Sequence, residues 1–309
     1  MTLQKFSDPS TTATGERRAW VDLTALKTLW FNTGTLCNLA CANCYIESTP
    51  KNDRLVYLTH AEATEYLDEI ERDSLPTTEI GITGGEPFMN PDIIKIAEES
   101  LKRGHRLLLL TNAMRPMMKC EIDLLRLRDT YGDQMTLRVS VDHFNPAMHE
   151  EERGARSWDP MLKGLKWLSD NKFHIDIAGR TRWGEDEDDL RKGFATLFKT
   201  HDINIDAHDK KQLMLFPEMD ENAPVPEITT QCWDILNVAP DDMMCATSRM
   251  VVKRKEDDKP SVMACTLLAY DQQFNLGTTL KEASSAVKLN HPHCAKFCVL
   301  GGGACSVME

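Results

Sequence analysis

From about Lys27 to Phe216 the chain alternates short strand-like stretches with amphipathic helix-like ones, a rhythm that few folds accommodate. Strand patterns fall at Thr28–Thr35, Glu79–Thr83, Arg106–Thr111, Thr136–Val141, His174–Ala178 and Gln212–Phe216. The aliphatic run within Arg106–Thr111 reads as a parallel strand buried on both faces. Helix signals lie between the strands. Thr59-His60-Ala61-Glu62 matches a capping box, and Ala63, Tyr66, Leu67 and Ile70 follow at one-face spacing. Asn90 reads as an N-cap with Pro91 in the first turn, Ile94, Ala97 and Leu101 inward, and Gly104 as the stop. Further helices are predicted over 121–128, from Asp159-Pro160 with Met161, Leu165 and Leu168 on one face, and around 190–198. Six such βα units predict an α/β fold, with a parallel sheet curled into a partial (β/α)6 TIM-like barrel over residues 27–218. Residues 1–26 read as an irregular, partly disordered N-terminal segment. After Glu218 the rhythm stops, and residues 219–309 read as a linker followed by a small cysteine-rich C-terminal domain that is not a βα unit.

A net charge of -12 argues against a surface that tracks nucleic-acid phosphates. The basic run Lys253-Arg254-Lys255 is followed at once by Glu256-Asp257-Asp258 and reads as a solvated turn. The first residues carry no apolar core flanked by basic ones, as a secretory signal would. The longest aliphatic run, Leu107 to Leu110, is too short to span a bilayer. Ten cysteines in such a chain point to metal or redox work in a reducing compartment rather than to disulfides. A cytoplasmic protein with neither membrane nor nucleic-acid partner is therefore expected.

Parallel barrels place their chemistry at the C-terminal ends of the strands. The first strand delivers Cys37, Cys41 and Cys44, spaced CX3CX2C. Three thiolates can hold three corners of a four-iron cube, whereas such clusters usually take four cysteines, so the fourth iron would stay open to a reactant. A structural zinc knuckle would need a fourth ligand, and the nearest candidate, His60, sits at a capped helix start. The second strand ends in Gly84-Gly85-Glu86-Pro87, whose carbonyls and carboxylate suit a cationic amine. The third brings Thr111 and Asn112, the fourth Ser140 and Asp142, and the fifth Arg180 and Arg182, of which only one can face the barrel interior. Together these are handles for an amino group, a carboxylate and ribose hydroxyls. His143, His149, His208, His291 and His293 read as solvated or capping residues. Cys120 and Cys232 read as small buried hydrophobes.

The pairing of CX3CX2C after the first strand with Gly-Gly-Glu-Pro after the second resembles the radical SAM enzymes over roughly residues 27–217. The resemblance implies that Cys37, Cys41 and Cys44 bind a [4Fe-4S] cluster whose open iron takes the amino and carboxylate groups of S-adenosylmethionine (SAM). One electron from the cluster would cleave SAM to methionine and a 5′-deoxyadenosyl radical that abstracts hydrogen from a substrate. Gly84, Gly85 and Glu86 would contact the amino group, Asn112, Ser140 and Asp142 would line the SAM site, and Arg180 would reach the carboxylate. The family's aromatic residue before the third cysteine is absent here: Asn43 stands there, with Tyr45 two places on. Cys245, Cys265, Cys294, Cys298 and Cys305 resemble a SPASM/twitch extension, four of them ligating a second, auxiliary [4Fe-4S] cluster. Spacing favours Cys245, Cys265, Cys294 and Cys298. Zinc is the rival occupant there. The implied partners are a peptide or small-molecule substrate and an electron donor such as flavodoxin or ferredoxin. The N-terminal segment is too short to fold alone as a leader-recognition domain. The alternative from another class is a non-catalytic metalloprotein, either a zinc-stabilised scaffold or an Fe-S electron-transfer partner.

Overall fold

A computed structural model describes residues 4–218 and 224–301 of the chain. Ten strands and eight α-helices follow in the order β1 (Trp20–Val21), β2 (Thr28–Asn32), α1 (His60–Arg72), β3 (Glu79–Thr83), α2 (Ile93–Lys102), β4 (Arg106–Thr111), α3 (Arg115–Met118), α4 (Glu121–Tyr131), β5 (Met135–Ser140), α5 (Pro146–Arg153), α6 (Trp158–Asp170), β6 (His174–Arg180), α7 (Glu187–Thr200), β7 (Leu213–Phe216), α8 (Cys232–Leu236), β8 (Ser248–Val252), β9 (Ser261–Met263) and β10 (Val287–Lys288) among the described residues. The main sheet runs β7-β6-β5-β4-β3-β2-β8-β9. Strands β2 to β7 are parallel and adjacent in sequence order, each pair joined through helices, which is the partial (β/α)6 barrel. The capping box forms as the sequence requires: the Glu62 N–H donates to Thr59 Oγ1 at 3.2 Å, and the Thr59 N–H donates to the Glu62 carboxylate at 3.0 Å.

The barrel is filled, not hollow. Trp30 on β2 is 1% exposed and pairs in register with Gly81 on β3. A Cβ at Gly81 would lie 2.4 Å from the Trp30 ring, so the missing side chain is what admits the indole. Gly81→Ala is expected to cost about 1–3 kcal/mol through overpacking, read as a lowered urea midpoint.

Four local expectations are corrected. The N-terminal segment is held rather than loose. Arg18, 1% exposed, meets Glu227 at 2.5 Å and donates to the Asp8 and Thr11 carbonyls, while β1 pairs antiparallel with β10. A buried Arg needs such partners on every side, and here they come from distant chain. Asn90 stands two residues before the cap position of α2, which Asp92 takes: Asn90 Oδ1 accepts the Asp92 N–H at 2.8 Å, while its Nδ2 donates to the Thr33 and Leu58 carbonyls. The residues after 218 are not merely appended, because β8 runs parallel beside β2 and β9 pairs antiparallel with β8. The basic run enters a turn with Lys255 exposed on Asp53, as expected, but Lys253 is docked on Glu62 at 3.1 Å rather than solvated.

Candidate functional site

The loop after β2 carries the three cysteines and is braced from three directions. Within it, Cys37 N–H donates to the Thr49 carbonyl at 3.1 Å, and the Ala42 N–H reaches the Glu152 carbonyl at 2.8 Å on α5. From beyond β9, the Tyr270 hydroxyl donates to the Ile46 carbonyl at 2.7 Å, and the Arg54 guanidinium stacks 3.5 Å over the Tyr270 ring. The glycine pair serves the same loop. A Cβ at Gly85 would sit 2.3 Å from the Leu36 carbonyl oxygen, and one at Gly84, whose φ is +151°, would sit 2.7 Å from that of Gly34. Only glycines let β3's end lie this close to the cysteine loop.

One cavity of about 1170 Å³, counting its open mouth, is walled by Cys37, Cys41, Cys44, Gly84, Gly85 and Asn112. Ser140, Asp142 and Arg180 complete its polar side. Of the residues assigned to the main site from sequence, only Glu86 is missing from the wall. Its carboxylate turns back instead, accepting the Thr111 hydroxyl at 2.9 Å and the Asn112 N–H at 2.8 Å. Asn112 in turn donates to Asn38 Oδ1 at 2.9 Å and approaches Cys37 Sγ at 3.9 Å. Glu86 thus positions the end of β4 against the cysteine loop. Burial pushes its carboxyl up to about 7 against those donors.

Electrostatics across the mouth centre on Asp142. Burial alone would raise its carboxyl, but Arg153 and Arg180 outweigh it and hold it below the usual range. Arg153 is bidentate on Asp142 at 2.5 and 3.1 Å, and Arg180 Nε lies at 3.3 Å. Arg180 Nη1 is buried without a hydrogen-bond partner, so the wall retains a cationic donor for an anionic group. Strand alternation is not what separates the two arginines, since residues two apart share a face. Arg182 lies beyond the end of β6, outside the cavity wall and bound to Glu152 at 2.5 Å, which Arg180 also approaches at 3.7 Å. Asn43 is absorbed here as well: its N–H and amide both donate to Glu152, and its carbonyl accepts from Arg180. Burial drives the Cys37 thiol up to about 12 and raises Cys41, so a metal that binds these sulfurs displaces their protons.

Arg153 lines the cavity and was missed in the sequence. It ends α5, a helix whose Asn145-Pro146 start, with Asn145 Oδ1 accepting the Ala147 N–H, is a readable signal. Arg153→Met is expected to destabilise the fold by up to about 3 kcal/mol, since it leaves the buried Asp142 charge with Arg180 alone. The drop should be visible in thermal melts and smaller in Arg153→Met/Asp142→Asn.

A second, apolar cavity of about 390 Å³ gathers Cys245, Cys265, Cys294 and Cys298. Burial pushes Cys245 up to about 11 and Cys294 up to about 12. Cys294 and Cys298 share a π-helical turn, Cys294–Val299. Cys305 lies outside the described residues. Among the described residues no three Cys, His, Asp or Glu side chains close on a point fit for a single ion. Three thiols in the first cavity wall and four around the second are donor sets of the kind a [4Fe-4S] cluster takes. Cys120 and Cys232 line neither cavity and are half-buried. Three histidines depart from expectation: His143 and His149 are each 1% exposed and His293, beside the second cavity, is 4% exposed, while His143 Nε2 meets Glu185 at 3.0 Å.

The radical SAM superfamily model matches residues 31–188, just over half of the chain and every polar strand end described above. The chain belongs to the radical SAM superfamily. Among curated radical SAM relatives, the antilisterial bacteriocin subtilosin biosynthesis protein AlbA of Bacillus subtilis (strain 168) is 32% identical over 143 residues, which is 46% of this chain and 30% of AlbA. The AdoMet-dependent heme synthase of Methanosarcina barkeri (strain Fusaro / DSM 804) is 32% identical over 145 residues, covering 46% and 38% of the two chains. This chain thus spans about a third of the curated relatives it matches. Streptococcus suis SuiB bound to S-adenosylmethionine superposes with a TM-score of 0.58 at 12% identity, over 82% of this chain and 63% of SuiB. The anSMEcpe structure with bound AdoMet gives 0.58 at 14% identity, over 90% and 88%. These likenesses establish a shared fold. As a radical SAM enzyme, the chain is of a kind that takes a [4Fe-4S] cluster and SAM. No helix among the described residues is long and apolar enough to cross a membrane.

Proposed function

We propose that Cys37, Cys41 and Cys44 hold a [4Fe-4S] cluster with one open iron, and that the polar wall beside it binds SAM for hydrogen abstraction from a peptide. When bound, the cluster and SAM supply one-electron cleavage to methionine and a 5′-deoxyadenosyl radical. The residues do the rest. The Gly84-Gly85 backbone brings carbonyl oxygens to the amino group, and Ser140 offers a hydroxyl to the ribose. Arg180, with its unpaired Nη1, and Arg153 offer charge to the carboxylate. Asp142 fixes both guanidinium groups, and the close-packed loops limit water at the thiols. Cys245, Cys265, Cys294 and Cys298 would ligate an auxiliary [4Fe-4S] cluster in a SPASM/twitch-like region spanning 219–309. Flavodoxin or ferredoxin would supply electrons.

The observation that carries this reading is the meeting of three thiols, the glycine pair, Ser140 and Arg180 in one wall. The peptide assignment leans on AlbA, a bacteriocin biosynthesis protein, and on the mycofactocin maturase MftC of Mycolicibacterium smegmatis, 26% identical over 137 residues. Anaerobically reconstituted, dithionite-reduced protein is expected to release 5′-deoxyadenosine from SAM, measured by mass spectrometry. Iron-loaded protein that binds SAM and yields none would overturn the reading. Addition of peptide pools should raise the release rate, whereas stimulation by small-molecule extracts alone would move the substrate to that class.

A further inference from the structure

The cavity has two faces of unlike chemistry. Its polar groups come from the loop after β2, from strands β3 to β6 and the residues just after them, and from Arg153 on α5. The end of β7 and the residues beyond it contribute only Phe216, Pro217, Leu267 and Phe297. Phe216 and Phe297 stack with ring centroids 6.0 Å apart and planes 18° apart, joining β7 to the C-terminal residues across the open side of the barrel. Leu267 and Phe297 are 8% and 2% exposed, so each is fixed by packing on its far side.

We propose that the substrate inserts an apolar side chain, aliphatic or aromatic, against the wall of Phe216, Leu267 and Phe297; this rests on the radical SAM reading above. None of these side chains can donate or accept a hydrogen bond. A charged or amide group pressed on them would lose its water with nothing in return. An apolar side chain gains burial there, and the peptide backbone stays at the mouth, among the polar residues and solvent. The wall is also tied to the second cysteine group. Leu267 lines both cavities, and its N–H donates to Cys265 Sγ at 3.4 Å. Phe297 sits within the π-helical turn between Cys294 and Cys298. Whatever those four thiols hold therefore sets the distance between Leu267 and the aromatic pair. The auxiliary group acts on specificity through this wall.

Capped amino acids test the wall without knowledge of the natural substrate. Equilibrium dialysis of reconstituted protein, with and without SAM, would compare N-acetyl-phenylalaninamide and N-acetyl-leucinamide with the aspartyl and lysyl analogues. The apolar amides are expected to bind about tenfold or more tighter than the charged ones, and Phe297→Ala or Leu267→Ala to weaken them by about tenfold. Phe297→Leu should retain most of the affinity, which separates lost contact from misfolding. SAM affinity should be unchanged in all three variants. Equal binding of charged amides, or undiminished binding to Phe297→Ala, would overturn the proposal. So would parallel loss of SAM and amide in Phe297→Leu, since the wall would then serve the cofactor. A wild type that selects apolar amides yet binds no SAM would uphold the wall and refute the cofactor reading.

Discussion

Cys41→Ala is expected to reduce 5′-deoxyadenosine release below detection while leaving the melting temperature of the iron-free protein nearly unchanged. The choice among the three thiols follows from their surroundings. Cys37 Sγ accepts the Leu39 N–H at 3.4 Å, and Cys44 Sγ accepts the Ser48 N–H at 3.3 Å, so removing either would also loosen the loop. Cys41 Sγ carries no such bond among the described residues and is half-buried, so alanine deletes a ligand and little else. Two remaining thiolates cannot grip a cube that already forgoes its fourth protein ligand. Iron per chain should fall by about four atoms. Persistent product from this variant would remove the basis for placing the cluster in this loop.

Cys298→Ala is expected to lower iron from about eight to about four atoms per chain without abolishing SAM cleavage in the absence of substrate. The four C-terminal thiols surround an apolar cavity separate from the first site, and burial raises the Cys245 and Cys294 thiols. Zinc, retained by wild-type protein at about one atom per chain and lost in the variant, would contradict the auxiliary cluster while sparing the first one. A fall in the rate of substrate turnover, with uncoupled cleavage intact, would locate the effect at Leu267 and Phe297 rather than at the SAM wall.

Much of the barrel was legible because local signals and tertiary demands coincide there. The Thr59 capping box, the aliphatic β4 and the one-face spacing of α1 and α6 each specify an element without help from distant residues. Reading failed where a residue's role is set from far away. Asn90 has the identity and the following proline of an N-cap, but α2 begins two residues later, and its amide also ties the Thr33 and Leu58 carbonyls, which no local pattern records. Ser248–Val252 is five residues in a stretch without rhythm, and only its pairing with β2 makes it part of the barrel sheet. Glu86 could be found as a carboxylate beside two glycines, but whether it faces the cavity or β4 is a choice of side-chain rotamer that sequence does not record. Arg153 escaped because the helix that carries it was not recognised. The spacing of Cys245, Cys265, Cys294 and Cys298 could not say that they surround one space, since the turns between them lack any regular period.

The pairing of β8 with β2 has a consequence for how the molecule comes to exist. During synthesis the barrel's first strand emerges early, but its outer neighbour is made only after all six βα units, and the Arg18–Leu289 contact closes a separation of 271 positions. Until then one face of β2 offers bare amides and carbonyls, a template for any other nascent chain. Such long-range closure slows maturation. Synthesis must therefore proceed past Val252 before the cysteine loop above β2 rests on a complete floor.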